Sequence, residues 1–427
     1  VLFGIYWKKG SRVPEYLDKL QLLAFFLISY LLSRVFVRFE VPRRLIYWLF
    51  QEKKLTVSRL TWLIILGSAV LSMLIANIVT LLTLIPVLVM LQKDYHGPKE
   101  HQKRFSSLIM LSAIWGANIG GMGMLTGTPA NGLLVAMLEL YKLGVKGQFT
   151  FLSWMAWGFP LAILLCVLGW AVLKLVLRPG HYFGNSYLKP GFDLGSAYKP
   201  IQNVAFVLAG VFLLSSSLLS FAMSYFKSYQ IAVLVFTGAW TVVMLYLLFL
   251  HPFKISGDGQ RGALLRRMDI LHELPRKGFL WVLIGLAFSG LLIWLKFPSI
   301  ASAWAAQWIT SERWIILLML TVALITTFLT EIVSNTVVLT SMFVALFPLT
   351  RSNPLLTWQI MLIISLSSNC AFMSPLATPC NGLGFGSSHK ISLRFMLLAG
   401  LVMNLSSAAL ITLWVHYVVP PVLAMFA

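Results

Sequence analysis

Thr128-Pro129-Ala130-Asn131-Gly132-Leu133 and Thr378-Pro379-Cys380-Asn381-Gly382-Leu383 are one short motif written twice, 250 residues apart, each inside an apolar stretch. Proline has no N–H to give and crowds the preceding turn, so the motif interrupts a helix. Backbone groups freed at bilayer depth must be satisfied by protein or by a polar cavity, because lipid offers no hydrogen bonds. Two such breaks in corresponding halves of a chain point to a carrier with a binding site near the membrane midplane.

The composition agrees. Hydrophobic residues fill 59% of the 427 positions and charged residues only 11%, and the apolar runs repeatedly reach the roughly 20 residues that span a bilayer. The net charge of +20 does not indicate nucleic acid, since the Lys and Arg sit in short loops between apolar runs, where they orient a membrane protein. The three cysteines, Cys166, Cys370 and Cys380, are odd in number and lack ligand spacing, so neither a disulfide nor a metal centre is expected. The chain opens with Val1, and its first residues do not have the form of a cleavable signal, so a missing N-terminal portion is expected.

Full crossings are expected at 20–37, 105–141, 151–177, 203–225, 230–251, 278–297, 355–387 and 395–425. Residues 60–92 read differently, because basic residues flank both ends: Arg43, Arg44, Lys53, Lys54 and Arg59 before, Lys93, Lys99, Lys103 and Arg104 after. Both ends belong on the cytoplasmic side, so this stretch, interrupted by Asn77, is a hairpin that returns to its starting face. Carrying the charges forward brings the second such stretch, 313–350, in from the other face. The fold class is thus an all-α polytopic membrane protein, an inverted-topology repeat with two re-entrant hairpins and two broken helices. The expected divisions are an N-terminal scaffold span and surface helix (1–58), a first repeat core (59–178), a linker with scaffold spans (179–312) and a second repeat core (313–427). Residues 253–277 read as a loop or surface helix, and 179–200 as a linker. Lys8, Lys9, Arg12 and Lys19 break the pattern by falling outside.

Small polar residues cluster at the two hairpin tips, as Ser72 and Ala76-Asn77-Ile78 in the first and Thr330-Glu331 and Ser334-Asn335-Thr336 in the second. Asn, Ser and Thr donate to an anion and offer oxygen to a cation, and helix N-termini add positive potential. Each of these residues alone also serves as interhelical glue. Glu331, an acid well inside an apolar stretch, is either a coupling acid or a brace for its hairpin. Gly120, Gly121 and Gly123 serve either close helix packing or exposed carbonyls. Intramembrane enzyme chemistry would need paired acids, a metal or a nucleophile with its base; the acids are sparse and the histidines unpaired.

Asn118-Ile119-Gly120-Gly121-Met122-Gly123, Thr128-Pro129-Ala130-Asn131, Thr330-Glu331 with Ser334-Asn335-Thr336, and Ala377-Thr378-Pro379-Cys380-Asn381 together resemble the divalent anion:sodium symporter family over roughly residues 20 to 425. The resemblance implies an elevator-type transporter, a homodimer in the plasma (bacterial inner) membrane. It would move a di- or tricarboxylate or sulfate with Na+ as coupling ion. A sodium-independent exchanger or a proton-coupled carrier of the same fold is the alternative. Carried over by position, one sodium site uses Ser72, Asn77 and the Gly127 carbonyl. The other uses Thr330, Asn335 and the Val333 and Ala377 carbonyls. Substrate would meet Asn77, Asn335 and Thr336, with Thr128, Thr378 and Pro379 close by. The family's Ser-Asn-Thr triplet survives in the second tip, whereas the first has Ala76 and Ile78 in place of the two hydroxyls, and about three further N-terminal spans are implied.

Overall fold

The computed structural model describes residues 17–41, 44, 55–93, 95, 98–140, 149–183, 187–188, 200–255, 261–266, 269, 287, 290–291, 294–296, 312–350, 353–387 and 391–426. The chain is built of helices: α1 Leu17–Arg38, α2 Val57–Leu74, α3 Asn77–Lys93, α4 Lys99–Gly123, α5 Pro129–Leu140, α6 Phe151–Leu177, the short α7 Pro179–Phe183, α8 Pro200–Tyr225 and α9 Gln230–Phe249. After a stretch outside the described residues come α10 Glu312–Leu329, α11 Asn335–Thr350, α12 Pro354–Ser368, α13 Pro379–Gly386, α14 Leu393–Leu413 and α15 Val419–Ala424, the last two joined by a π-turn at Trp414–Val418. Among the described residues, eight helices are long and apolar enough to cross a membrane. The expected crossing at 278–297 lies almost wholly outside the described residues, as do Lys8, Lys9 and Arg12.

Helix directions follow from the side-chain contacts. A Cβ on Gly116 would fall on the Ile65 carbonyl and one on Gly120 on that of Ala69, while Met73 lies over Gly123. The matching order means that α2 and α4 run parallel at very close approach, which these glycines permit. The chain between them, α3, must therefore come back, and 57–93 is a hairpin. Its ends share one end of the bundle with the C-terminus of α6, because Trp170 Nε1 donates to the Ser58 carbonyl and Arg104 Nη1 to that of Leu177.

The second half repeats the plan upside down. Gln359 Nε2 donates to the Val415 carbonyl, and Gly400 sits against Met373, so α12 and α14 are antiparallel. His416 lies 3.4 Å from Glu312, so α10 is antiparallel to α14 and parallel to α12. Residues 312–350 thus also form a hairpin. Beyond its break the chain of α13 descends along α4, with Gly384 against Ile114 and the Ser392 N–H on Ser107 Oγ. The two hairpins accordingly come from opposite ends of the bundle.

The scaffold helices α1, α8 and α9 pack on one another. Gln21 reaches the Leu219 carbonyl and Thr237 at one end, and Gln202 reaches the Phe39 carbonyl at the other. Arg38 meets Asp269 at 2.8 Å. That end carries Lys254, Arg261 and Arg266, and the first hairpin's own end carries Arg59, Lys93, Lys103 and Arg104, so the charges divide as the positive-inside rule requires.

One expectation needs correction, and another gains detail. The described start of 253–277 is a ribbon and not a loop or surface helix: Phe253–Lys254 pairs antiparallel with Arg261–Gly262. The 179–200 linker includes α7, and Tyr187–Leu188 pairs with Leu55–Thr56, tying the linker to the foot of the first hairpin.

Candidate functional site

The two breaks are built alike. Pro129 and Pro379 each open a helix, as their fixed φ and missing N–H favour. Thr378, extended at φ −136° and ψ 156°, caps α13 by accepting the Asn381 N–H. In the first break Asn131 Nδ2 donates to the carbonyls of Gly121 (3.0 Å) and Met124 (2.9 Å). In the second, Asn381 Nδ2 donates to those of Ala371 (2.9 Å) and Ser374 (2.8 Å). Two further carbonyls, of Met122 and Phe372, receive the indole N–H of Trp154 and Trp115. These carbonyls of the broken helices are thus satisfied by protein, as bilayer depth demands.

The hairpin tips match as well. Ser72 Oγ donates to Asn77 Oδ1 at 2.8 Å, and Thr330 Oγ1 to Asn335 Oδ1 at 2.7 Å, each across five residues. Thr330 Oγ1 also lies 2.8 Å from the Ser368 carbonyl at the end of α12, so its single proton is shared between the two acceptors. Asn118 joins the halves: its Oδ1 accepts Asn77 Nδ2 at 3.4 Å, while its Nδ2 donates to the Ala371 carbonyl and to Asn381 Oδ1. Thr378 Oγ1 donates to the same Asn381 oxygen. One polar network therefore runs from the first tip to the second break.

Glu331 lies in that second break as a brace. Its oxygens accept the N–H groups of Phe372, Met373 and Ser374 at 2.6–2.8 Å, and Asn404 Nδ2 at 2.8 Å. Each hydrogen bond to an ionised group contributes about 1.5–3 kcal/mol. Glu331 therefore holds unwound backbone that α12, ending at Ser368, no longer serves.

The site has two layers. Ser72, Asn118, Asn131, Asn381, Thr330 and Glu331 are buried, whereas Asn77, Ile78, Ser334, Asn335, Thr336 and Thr378 are half-buried and Ala76, Pro129 and Pro379 exposed. The first predicted sodium set does gather: Gly121 faces both Asn77 Oδ1 and the Thr128 methyl, and Gly127 packs on Gly121. In the second, Thr330 and Asn335 are bonded, Val333 lies in the same tip, and Ala377 in the second break donates its N–H to Ser374. Thr128 Oγ1, buried, has no partner. The stretches 60–92, 105–135, 314–350 and 353–387 contain neither Lys nor Arg. Positive potential comes instead from the N-termini of α3, α5, α11 and α13, each equivalent to roughly +0.5 charge.

The glycines divide their roles. Gly120 is there for packing, and Gly121 lines the site and offers its carbonyl to Asn131. Sequence reasoning missed Asn118, Asn131, Asn381 and Asn404 as working residues. For Asn131 and Asn381 the signal was present, since both hold the same place in the doubled motif. The three cysteines are free and buried, and among the described residues no cluster of His, Cys, Asp and Glu could hold a metal.

Opposed hairpins, broken helices and the polar network that joins them define a transporter of the integral multi-pass membrane class. The chain belongs to the citrate transporter family (CitMHS), whose model matches residues 19–265, more than half of its length. It is also similar to the sodium-dependent dicarboxylate transporter SdcS of Staphylococcus saprophyticus, 26% identical over 93% of this chain and 76% of that one. The protein of the same name from Staphylococcus aureus is 27% identical over the same shares. These likenesses bear out the resemblance to the divalent anion:sodium symporters.

Proposed function

We propose that this protein is a sodium-coupled symporter of a small di- or tricarboxylate in the plasma membrane. The observation that carries the reading is the twin Ser72–Asn77 and Thr330–Asn335 pairs, one at each opposed tip, where α3 and α11 begin, with the breaks from which α5 and α13 begin. Hydroxyl, amide and freed carbonyl oxygens suit sodium, and the buried Glu331 carboxylate adds negative charge on the side of the second site. Amide nitrogens and helix N-termini suit carboxylate. Sodium would complete the site by drawing Ser72 and Thr330 away from their asparagines, freeing these to meet the anion. Each net positive charge moved inward gains about 2.3 kcal/mol per 100 mV. The names of the staphylococcal relatives support this coupling and this substrate class. An elevator motion of the two hairpins and broken helices against α1, α8 and α9, in a homodimer, is part of the same reading.

The test is uptake of labelled succinate and citrate into proteoliposomes with sodium or choline outside. Uptake that needs sodium supports the proposal; uptake indifferent both to sodium and to an anion on the far side overturns it. Exchange is the second reading, favoured by Ala76 and Ile78, which lack the hydroxyls of Ser334 and Thr336. Counterflow that persists without a sodium gradient would select it. A proton-coupled cycle through Glu331 has less support, because four N–H donors occupy that carboxylate.

A further inference from the structure

A cleft of about 420 Å³ opens between the basic ends of α4, α6 and α14, away from the transport chamber. Arg104, Arg178 and Arg394 line it, with Tyr182, Leu175 and Leu398. Arg104 is fixed in place: Nη1 donates to the Leu177 carbonyl, and the guanidinium stacks 3.8 Å above the Tyr182 ring. A guanidinium held this way keeps its remaining N–H groups in a rigid fork suited to phosphate oxygens. Among the described residues no carboxylate pairs with any of the three arginines. Arg178 caps α6 in the left-handed region, at φ 48° and ψ 56°, a conformation that glycine would adopt without cost.

The walls show what the cleft faces. Leu175 is 67% exposed and Leu398 46%, at the last turn of one apolar helix and the second of another. Such side chains, on membrane-crossing helices, meet acyl chains. The arginines, at and just beyond the helix ends, stand at the depth of lipid headgroups on the face that the charge distribution makes cytoplasmic. A water-soluble anion would have no use for the leucine wall; a phospholipid would use both parts.

We propose that this cleft binds the headgroup phosphate of an anionic phospholipid, with its acyl chains along Leu175 and Leu398. The bound lipid ties the start of α4 to the end of α6 and the start of α14, three helices that frame the two breaks.

The experiment uses the full chain in mild detergent, titrated with phosphatidylglycerol, phosphatidylcholine, glycerol 3-phosphate or inorganic phosphate, and reads retained lipid by native mass spectrometry beside thermal unfolding. Phosphatidylglycerol should bind about tenfold or more tightly than phosphatidylcholine, at roughly a factor of five per arginine near the surface. The Arg178→Gly, Arg394→Gln double variant, which keeps Arg104, should lose most of that preference. Glycine suits the backbone at 178, so unfolding in phosphatidylcholine should occur at the same temperature or higher, which separates lost binding from lost folding. Equal binding of the two lipids, or an unchanged preference in the double variant, overturns the proposal. So does saturation by either soluble phosphate that blocks the gain from phosphatidylglycerol at matched concentration, since the cleft would then be a plain anion site.

Discussion

The two broken helices share a threonine, a proline and an asparagine at matching places, yet they are held open to different extents. The first helix runs on to Gly123 and is interrupted only over 124–128; the second stops at Ser368 and stays unwound over 369–378. The tips differ in the same sense, with residues 75–76 between α2 and α3 but 330–334 between α10 and α11. The residue after the tip hydroxyl explains the contrast. In the second half it is Glu331, which accepts three backbone N–H groups of the longer break; in the first it is Met73, which packs over Gly123 in a helix that needs no such help. An inverted repeat can therefore keep its symmetry in the motif and abandon it in the support. The greater length of unwound backbone goes with an acid that satisfies it.

The comparison breaks most sharply at the acid. Glu331→Leu should leave three backbone N–H groups, that of Phe372 buried, and the buried Asn404 without an acceptor and cost about 3 kcal/mol or more, with loss of monodisperse folded protein in size-exclusion and thermal assays. Met73→Leu, at the matching place, should cost less than about 1.5 kcal/mol. Equal effects would mean that Glu331 is not what holds the second break.

Asn335→Ala and Asn77→Ala come next. Each should reduce sodium-driven uptake by roughly 5- to 150-fold, the range of one lost buried partner, while the protein still inserts. An unchanged rate for either would remove that tip from the site. Between the break asparagines, Asn381→Ala should destabilise by about 1–2 kcal/mol more than Asn131→Ala in denaturant titrations, since Asn381 Oδ1 also accepts Asn118 and Thr378 whereas Asn131 Oδ1 has no partner. Parity would show that the amide nitrogens alone matter. Ala76→Ser should be the mildest, lowering the sodium concentration for half-maximal uptake a few-fold by restoring at the first tip a hydroxyl that Ser334 supplies at the second. No shift would place residue 76 outside the ion site.

Much of this was legible in the chain. The doubled motif located both breaks, and the basic flanks of 60–92 gave the first hairpin its return, because charge sets orientation independently of packing. Helix α6 falls on the expected 151–177. The ribbon at 253–262 was not legible, since a pair of two-residue strands leaves no periodic signal. Nor was the work of Asn118, whose partners lie 41, 253 and 263 residues away.

Composition, charge placement and one repeated hexapeptide were enough to determine a polytopic carrier with two interrupted helices and two returning hairpins, because a bilayer tolerates few other ways to arrange such a chain. Which carbonyl each asparagine and tryptophan would satisfy, and which backbone N–H groups Glu331 would accept, was decided only when the halves came together. Hydrogen bonds between distant segments depend on where folding places donors and acceptors, and no local pattern of residues encodes that.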